Sequence, residues 1–271
     1  MGIAGSDVSA IERLLKRDRQ IVLVCVAAMV VLSGLYTMLG VGMEMSAIAM
    51  TGMSSTMLMD TAEWTPTYAV LVFLMWWIMM IAMMLPSAAP ALLLYAAIRR
   101  RGRGPTDPVV MTAIFLLGYL SVWALFSLLA TALQGALEYV GVVSGMLSVS
   151  NRALGGVVLL TAALYQFTPM KQACLTQCRN PIRFITGTHG AGRVGALRLG
   201  IRHGTYCVGC CGLLMLLLFF GGIMNLFWIA GIGIYVLLEK LLPRGRWLSH
   251  AAGIGMFAVG IWLVAPIAWT G

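Results

Sequence analysis

Residues 68–98 read YAVLVFLMWWIMMIAMMLPSAAPALLLYAAI, a run of 31 residues without a charged side chain. A membrane-spanning helix needs about 20 consecutive apolar residues, so this segment is long enough to cross a bilayer. The same character extends over all 271 residues, of which 61% are apolar and 10% are charged. Soluble domains carry about 25% charged residues. The composition excludes a soluble enzyme and predicts an all-α fold, a polytopic transmembrane helical bundle that forms one integral membrane domain over residues 1–271.

The same criterion predicts seven spans, and the charges predict their orientation. The long apolar run after residue 206 is split at GGIMN, residues 221–225, where glycines and an amide favour a tight turn. With the N-terminus in the cytoplasm, 17 of the 18 basic residues fall on the inner face, as the positive-inside rule requires. The net charge of +9 then follows from the orientation in the membrane, where basic residues meet anionic lipid headgroups. No nucleic-acid partner is needed to explain it. The predicted spans are residues 21–39, 68–98, 109–133, 154–170, 206–222, 224–242 and 251–268.

Residues 40–67, predicted to lie in the periplasm, form a methionine-rich loop. Two of its methionines, Met43 and Met45, are spaced two residues apart, and the pair at 57 and 59 repeats this spacing. Thioethers are soft ligands that prefer Cu(I). The pattern indicates either copper capture outside the cell or a flexible loop in which methionine fills space against lipid.

A second group of methionines follows one face of the helix predicted over residues 68–98. Met75, Met79 and Met83 are spaced i, i+4, i+8, with Met80 and Met84 beside them. Such a stripe either passes a soft cation along the helix or packs the core, and packing is the commoner use of methionine.

Pro86 and Pro90 follow these methionines and are predicted to bend or break the helix. A proline leaves the carbonyl four residues earlier without its helical donor, and Ser87 is placed to satisfy one such group. Freed carbonyls are tolerated in a membrane where they face protein or a water-filled cavity. The proline pair therefore marks a place for a site within the bundle.

Five of the six cysteines are predicted to gather at the inner face, where residues 171–205 form a basic segment that carries the first two of them. Cys174 and Cys178 end the fourth predicted helix, just beyond its membrane span, at i, i+4 spacing and with Met170 one turn earlier. The other three begin the fifth span at i, i+3, i+4, with His203 one turn before them. Two antiparallel neighbouring helices are thus expected to present facing sulfur groups. The three cysteines of the fifth span are Cys207, Cys210 and Cys211.

These cysteines have three explanations. Disulfides are disfavoured at the reducing inner face. A thiol-redox pair, Cys207 and Cys210, has CxxC spacing but not the strand and helix found around it in thioredoxins. A metal site fits best, because thiolates on two separate elements suit Cu(I), zinc or an iron–sulfur cluster. Nearby cations at Lys171, Arg179 and Arg202 favour the thiolate form, and the methionines favour copper over zinc.

The remaining polar and sulfur residues have plainer explanations. His203 is either a ligand or a polar interfacial residue, and Cys25 on the first helix is expected to pack. Glu239 and Lys240 are predicted to form an interfacial pair. No Ser/His/Asp arrangement, nucleotide loop or paired-carboxylate site is visible, so a role other than catalysis is expected. The amides predicted to make helix–helix hydrogen bonds are Gln166 and Asn225.

Three segments together resemble a family of predicted metal-binding integral membrane proteins that carry a bacterial domain of unknown function. They read MMIAMMLPSAAP at 79–90, YQFTPMKQACLTQCRNP at 165–181 and RHGTYCVGCC at 202–211. Gly212 stands where this family often has tryptophan. The resemblance implies metal binding without a settled activity. The ligands that it implies are Met83, Met84, Cys174, Cys178, Cys207, Cys210 and Cys211.

The leading hypothesis is a Cu(I)-binding protein of the bacterial cytoplasmic (inner) membrane that acts in copper uptake or in delivery to a copper protein. Outer methionines would collect the ion, the α-helical methionine stripe would pass it inward, and the cysteines would receive it. The expected partners are membrane lipid, a copper-dependent membrane protein or complex, and a second copy of the chain. Two alternatives stay open: a structural or assembly subunit of a larger complex with a zinc or thiol site, and a membrane thiol-redox enzyme.

Overall fold

The computed structural model describes residues 4–40, 64–101, 107–141, 152–180, 192–242 and 245–268. Within these ranges every regular element is a helix and no strand occurs, which confirms the all-α prediction. In chain order the helices are α1 Ala4–Leu39, α2 Pro66–Arg101, α3 Pro108–Tyr139, α4 Arg152–Gln166, α5 Pro169–Arg179, α6 Gly192–Met215, α7 Leu218–Gly221, α8 Leu226–Leu241 and α9 Gly245–Ala268.

Five helical segments of the described ranges are long and apolar enough to span a membrane. α4 and α5 pass the same test only as a pair, which is bent by 65°. α8 has 16 residues, whereas a straight span needs about 20. By length and composition, the described residues thus offer five candidate spans, or six with the bent pair, where the sequence predicts seven. The five are Gln20–Leu39, Pro66–Arg100, Pro108–Tyr139, Gly192–Gly221 and Gly245–Ala265.

The bend between α4 and α5 lies inside the fourth predicted span and follows from Thr168 and Pro169. Proline has no N–H to donate to the carbonyl four residues earlier, so α4 ends before it. The hydroxyl of Thr168 accepts the backbone N–H of Lys171 at 3.3 Å and so begins a new helix. The helix that carries the first two cysteines of the predicted group therefore has a direction of its own.

The predicted break at residues 221–225 is confirmed. α7 ends at Gly221, and Gly222 has a φ of +92°, which favours glycine. The side chain of Asn225 accepts the backbone N–H of Phe227 at 3.0 Å and caps the start of α8. The expectation that this amide joins two helices is wrong, because its oxygen is used within its own helix.

α6 begins at Gly192, well before the predicted start at residue 206. Its first turns carry Arg193, Arg198 and Arg202, which are exposed and do not prevent a buried face. Much of the segment predicted as an inner loop is therefore helix. The buried residues recur at helical spacing and are Ala196, Leu199, Gly200, His203, Gly204 and Cys207.

α3 and α6 approach each other backbone to backbone at glycines. A Cβ added at Gly200 would collide with the carbonyl oxygen of Phe115, and one added at Gly118 would collide with that of Leu197. Small residues are enriched where membrane helices pack closely, because they let the backbones approach. This contact brings Tyr119 of α3 against the cysteine-bearing turns of α6.

Candidate metal centre

Five sulfur atoms from three helices converge in one buried region, which we call the sulfur cluster. The Sγ atoms of Cys178 on α5 and Cys210 on α6 lie 3.9 Å apart. The Sγ atom of Cys211 lies 3.6 Å from the Sδ atom of Met84 on α2. The thiol of Cys207 lies near the thiols of the other three cysteines, and its backbone carbonyl accepts two of them. The structure thus brings four of the predicted cysteines together with one of the predicted methionines.

Helix geometry places the three thiols of α6 on one face. The thiols of Cys210 and Cys211 donate to the carbonyl oxygen of Cys207 at 3.1 and 2.9 Å. The approach of α5 depends on Gly209, since a Cβ there would lie 2.7 Å from the Sγ atom of Cys174. A single small residue therefore controls how closely the two cysteine-bearing helices pack.

α2 continues as a helix through Pro86 and Pro90, and Met84 lies just before this pair. The hydroxyl of Ser87 donates to the Met84 carbonyl at 2.8 Å, which is not one of the carbonyls that the two prolines leave without a donor, so the expected partner of this serine is wrong. The hydroxyl of Tyr119 donates to the same oxygen at 3.3 Å. These bonds hold the backbone of Met84 beside α3 and α6.

Two residues beside the sulfur cluster were not among the predicted site residues. The ammonium of Lys240 on α8 lies 3.0 Å from the Sγ atom of Cys207 and 3.0 Å from the hydroxyl oxygen of Ser87. The hydroxyl of Tyr119 lies 3.2 Å from the same sulfur. An adjacent ammonium favours the thiolate form, which is the form that binds metals. Lys240 is thus the cation next to the thiols.

The prediction that Glu239 and Lys240 form an interfacial pair is wrong, because both side chains are buried and take different partners. The Oε1 atom of Glu239 pairs with the ammonium of Lys171 at 2.7 Å, with both side chains fully buried. The same oxygen accepts the hydroxyls of Tyr235 at 3.0 Å and Ser249 at 2.5 Å. We call these four side chains the ion-pair network.

The cations that the sequence assigned to the thiols have other partners. Lys171 donates to Glu239 and also to the amide oxygen of Gln166, which links the two sides of the α4–α5 bend. Arg179, at the other end of α5, donates to the carbonyl of Leu242. Both ends of α5 are therefore held by polar groups. The sequence predicted Lys171 and Arg179 as the cations beside the thiols, whereas the structure places Lys240 there.

The donor set of the sulfur cluster fits a soft metal ion, although its thiols are not yet arranged as a cage. Within the described residues, no three side chains of His, Cys, Asp or Glu are placed to hold an ion together. Two sulfurs at about 2.3 Å from one ion lie about 3.8 Å apart at the tetrahedral angle, close to the 3.9 Å between Cys178 and Cys210. A third ligand requires the thiol of Cys207 or Cys211 to turn from its present hydrogen bond.

Three other predicted site residues lie near these helices without joining the sulfur cluster. Cys174 is half-buried on α5 beside Gly209. His203 is buried, and its ring packs against those of Phe115 and Tyr119 at 5.9 and 5.6 Å between centroids. Met170 is 61% exposed, so its thioether faces outward rather than continuing the buried stripe.

The remaining predicted residues divide between the core, the surface and the undescribed loop. Met79 and Met83 are buried on α2 within the same core as the α6 cysteines. Cys25 is exposed on α1, although the sequence suggested packing. The two candidate ligands of the outer loop, Met43 and Met45, lie outside the described residues.

Comparison with known proteins identifies the family. Residues 73–263, more than two thirds of the chain, match the PpoB2 family, which is described as a copper chaperone. No curated protein and no solved structure matches the chain. The matched residues include the whole sulfur cluster together with Lys240 and Tyr119. The cluster therefore lies within the part of the chain that matches a copper-related family. The chain therefore belongs to the PpoB2 family of copper chaperones.

Proposed function

We propose that this protein is a membrane-embedded chaperone that holds Cu(I) at the sulfur cluster and delivers it to a copper protein. The convergence of four cysteine sulfurs and one methionine sulfur from three helices carries this proposal. Five helical segments long enough to span a bilayer support the membrane location. The family description supports copper as the cargo.

The chemistry of the donors favours Cu(I) over harder ions. Thiolates and a thioether are soft ligands, whereas Mg²⁺, Ca²⁺ and Mn²⁺ prefer carboxylate and carbonyl oxygens. The carboxylate nearest in sequence to Lys240, that of Glu239, pairs through its Oε1 atom with Lys171 and accepts two hydroxyls there. Copper in this site remains Cu(I) throughout, so the proposed step is ligand exchange without electron transfer.

Cys174 is the residue that we assign to release of the ion. It shares a helical face with Cys178. Its side chain is half-buried, whereas the cysteines of the cluster on α6 are fully buried. Its sulfur lies against Gly209, one residue from Cys210. A partly accessible thiol next to a buried one can accept the ion and pass it to an acceptor thiol from outside the bundle.

Binding is tested with purified protein in lipid nanodiscs under anaerobic, reducing conditions. Cu(I) is supplied as its bicinchoninic acid complex, and transfer is followed by loss of the absorbance of the complex. Cys178→Ser and Cys210→Ser are expected to weaken binding by at least about a hundredfold, beyond the 10–100-fold typical of residues that only support a ligand. Cys25→Ser, the same change on exposed α1, is expected to bind like the unaltered protein.

The outcomes separate the competing functions. An unaltered protein that takes zinc and leaves Cu(I) with the competitor would contradict the proposal and favour a structural subunit. Cys174→Ser is expected to keep Cu(I) affinity within a few-fold but to slow transfer to bathocuproine disulfonate, a chelator that stands in for the acceptor. Transfer at an unchanged rate would remove Cys174 from the release step.

A further inference from the structure

A groove formed by α1, α2 and α8 is lined by Met83, the residue that precedes Met84 of the sulfur cluster. Its volume is about 460 Å³, and two of its lining side chains are thioethers. Met38, near the end of α1, is 45% exposed, whereas Met83 on α2 is 6% exposed. The groove therefore joins an accessible soft ligand to a nearly buried one.

Met83 links the groove to the sulfur cluster, because it packs in the same buried core as Met84 and the cysteines of α6. Met83 is followed in the chain by Met84, whose Sδ atom lies 3.6 Å from the Sγ atom of Cys211. A ligand that reaches Met83 is therefore one residue from the cluster. The groove and the cluster share the same short stretch of α2.

One residue that lines the groove has a backbone carbonyl without its usual helical donor. Pro86 and Ala82 both line it, and proline has no N–H to donate to the carbonyl four residues earlier. A carbonyl freed in this way is tolerated within a membrane where it faces protein or a water-filled cavity rather than lipid. The two thioethers are the soft ligands of the groove, and they suit a soft cation such as Cu(I).

The other methionines of α2 do not offer a comparable path. Met75, Met79 and Met80 are at most 2% exposed and pack in the core. The sequence suggested that an ion passes along the stripe formed by Met75, Met79 and Met83. Of these three, Met83 is the residue that lines the groove.

We propose that Cu(I) reaches the sulfur cluster through this groove, binding at Met38 and then at Met83 before it meets Met84 and Cys211. This inference rests on the proposed function and adds the route by which the ion is loaded. The ion keeps its oxidation state and exchanges thioether ligands for thiolates, which bind it more strongly. Loading rate, rather than final affinity, is the property that the groove controls.

Two glycines allow the groove to be filled without replacing a sulfur atom. A Cβ added at Gly34 of α1 meets no atom within 4 Å. A Cβ added at Gly233 of α8 meets carbon atoms of Met83 at 3.7 to 3.9 Å, which is ordinary contact. Gly34→Phe and Gly233→Phe therefore place a ring in the groove beside the thioethers.

A second groove supplies the matched controls. It has a volume of about 540 Å³, borders another side of α8 and is lined by Gly231 and Gly255. A Cβ at either position also meets no atom within 4 Å. Gly231→Phe and Gly255→Phe thus add the same ring at comparable open positions, away from Met38 and Met83.

The experiment measures the rate at which nanodisc-embedded protein removes Cu(I) from its bicinchoninic acid complex, together with the final amount bound. Gly34→Phe and Gly233→Phe are expected to load at least about tenfold more slowly, which corresponds to a modest rise in barrier. They are expected to reach the same final occupancy as the unaltered protein. Met38→Leu is expected to slow loading as well, because it removes the accessible thioether.

The possible outcomes distinguish this inference from the proposed function. If both groove-filled variants load as fast as the controls, the route is wrong while the binding function stands. If the controls are slowed equally, the effect belongs to lipid packing around α8, and the route is also wrong. If the unaltered protein retains no Cu(I), the proposed function itself fails.

Discussion

Lys171 and Lys240 are two buried lysines that take opposite kinds of partner. The ammonium of Lys171 lies 2.7 Å from a carboxylate oxygen of Glu239. The ammonium of Lys240, one residue along α8 from that glutamate, lies 3.0 Å from the sulfur of Cys207 and from the hydroxyl of Ser87. A turn of helix that carries one acidic and one basic residue thus serves two separate sites.

The difference between the two lysines assigns them different tasks. Lys171 belongs to an ion pair whose partner is always present, so the pair holds α5 in position whether or not a metal is bound. Lys240 faces the thiol of Cys207. When an ion binds that sulfur, the contact between the sulfur and the ammonium is either lost or shared with the ion. The comparison predicts that loss of Lys171 affects mainly folding, and that loss of Lys240 affects mainly metal binding.

The largest expected effect is that of Lys171→Met on stability. The change leaves the Glu239 carboxylate buried without its cation, and breaking one side of a buried pair typically costs about 3–5 kcal/mol. The free energy of unfolding in detergent is expected to fall by this amount. The double variant Lys171→Met with Glu239→Gln is expected to recover most of the loss. Equal stability of the single variant and the unaltered protein would contradict the role of the ion-pair network.

Lys240→Met is expected to weaken Cu(I) binding by about tenfold to a hundredfold, because a hydrogen bond to a charged group contributes about 1.5–3 kcal/mol. Competition with bicinchoninic acid measures the change. Stability is expected to fall less than in Lys171→Met, since no carboxylate loses its partner. Lys240→Arg keeps the charge and is expected to restore part of the affinity. If Lys240→Arg and Lys240→Met are equally weak, charge is not what Lys240 supplies.

Tyr119→Phe tests the neutral group on the same sulfur. Its hydroxyl contacts the Sγ atom of Cys207 at 3.2 Å and donates to the Met84 carbonyl at 3.3 Å. Neutral hydrogen bonds contribute about 0.5–1.5 kcal/mol, so a twofold to tenfold loss of Cu(I) affinity is expected. Tyr95→Phe is the control, because Tyr95 is a buried tyrosine of α2 that packs in a separate core cluster from the cysteines. If Tyr119→Phe loses more Cu(I) affinity than Lys240→Met, the hydroxyl rather than the ammonium is the more important partner of Cys207.

The sequence predicted the helices and the cysteine convergence because both are local patterns. Apolar runs marked the long spans, and i, i+3, i+4 spacing placed Cys207, Cys210 and Cys211 on one face of α6. The early start of α6 was missed because its arginines suggested an inner loop. The same segment nevertheless buries a helical stripe that includes Ala196 and Leu199, so the signal was present in the apolar periodicity.

The partners of the two lysines could not be predicted in this way. Whether Lys240 faces lipid headgroups or the core depends on the rotation of α8 against α2, whose Ser87 is 153 residues away in the chain. The pairing of Lys171 with Glu239 depends on the α4–α5 bend, which turns the first turn of α5 toward α8. Tyr119 carried no local signal, because its place beside Cys207 follows from the close packing of α3 on α6.

The smallest expected effect is that of Ser87→Ala, which sharpens the contrast between the lysines. The change removes the hydroxyl partner of Lys240 but leaves its contact with Cys207, and Ser87 also donates to the Met84 carbonyl. If the thiol is the partner that matters, Cu(I) affinity changes by less than about threefold, within the range of one weak neutral bond. The competition titration used for Lys240→Met measures it. A loss as large as that of Lys240→Met would mean that Ser87 positions the ammonium, and that Lys240, like Lys171, depends on an oxygen partner.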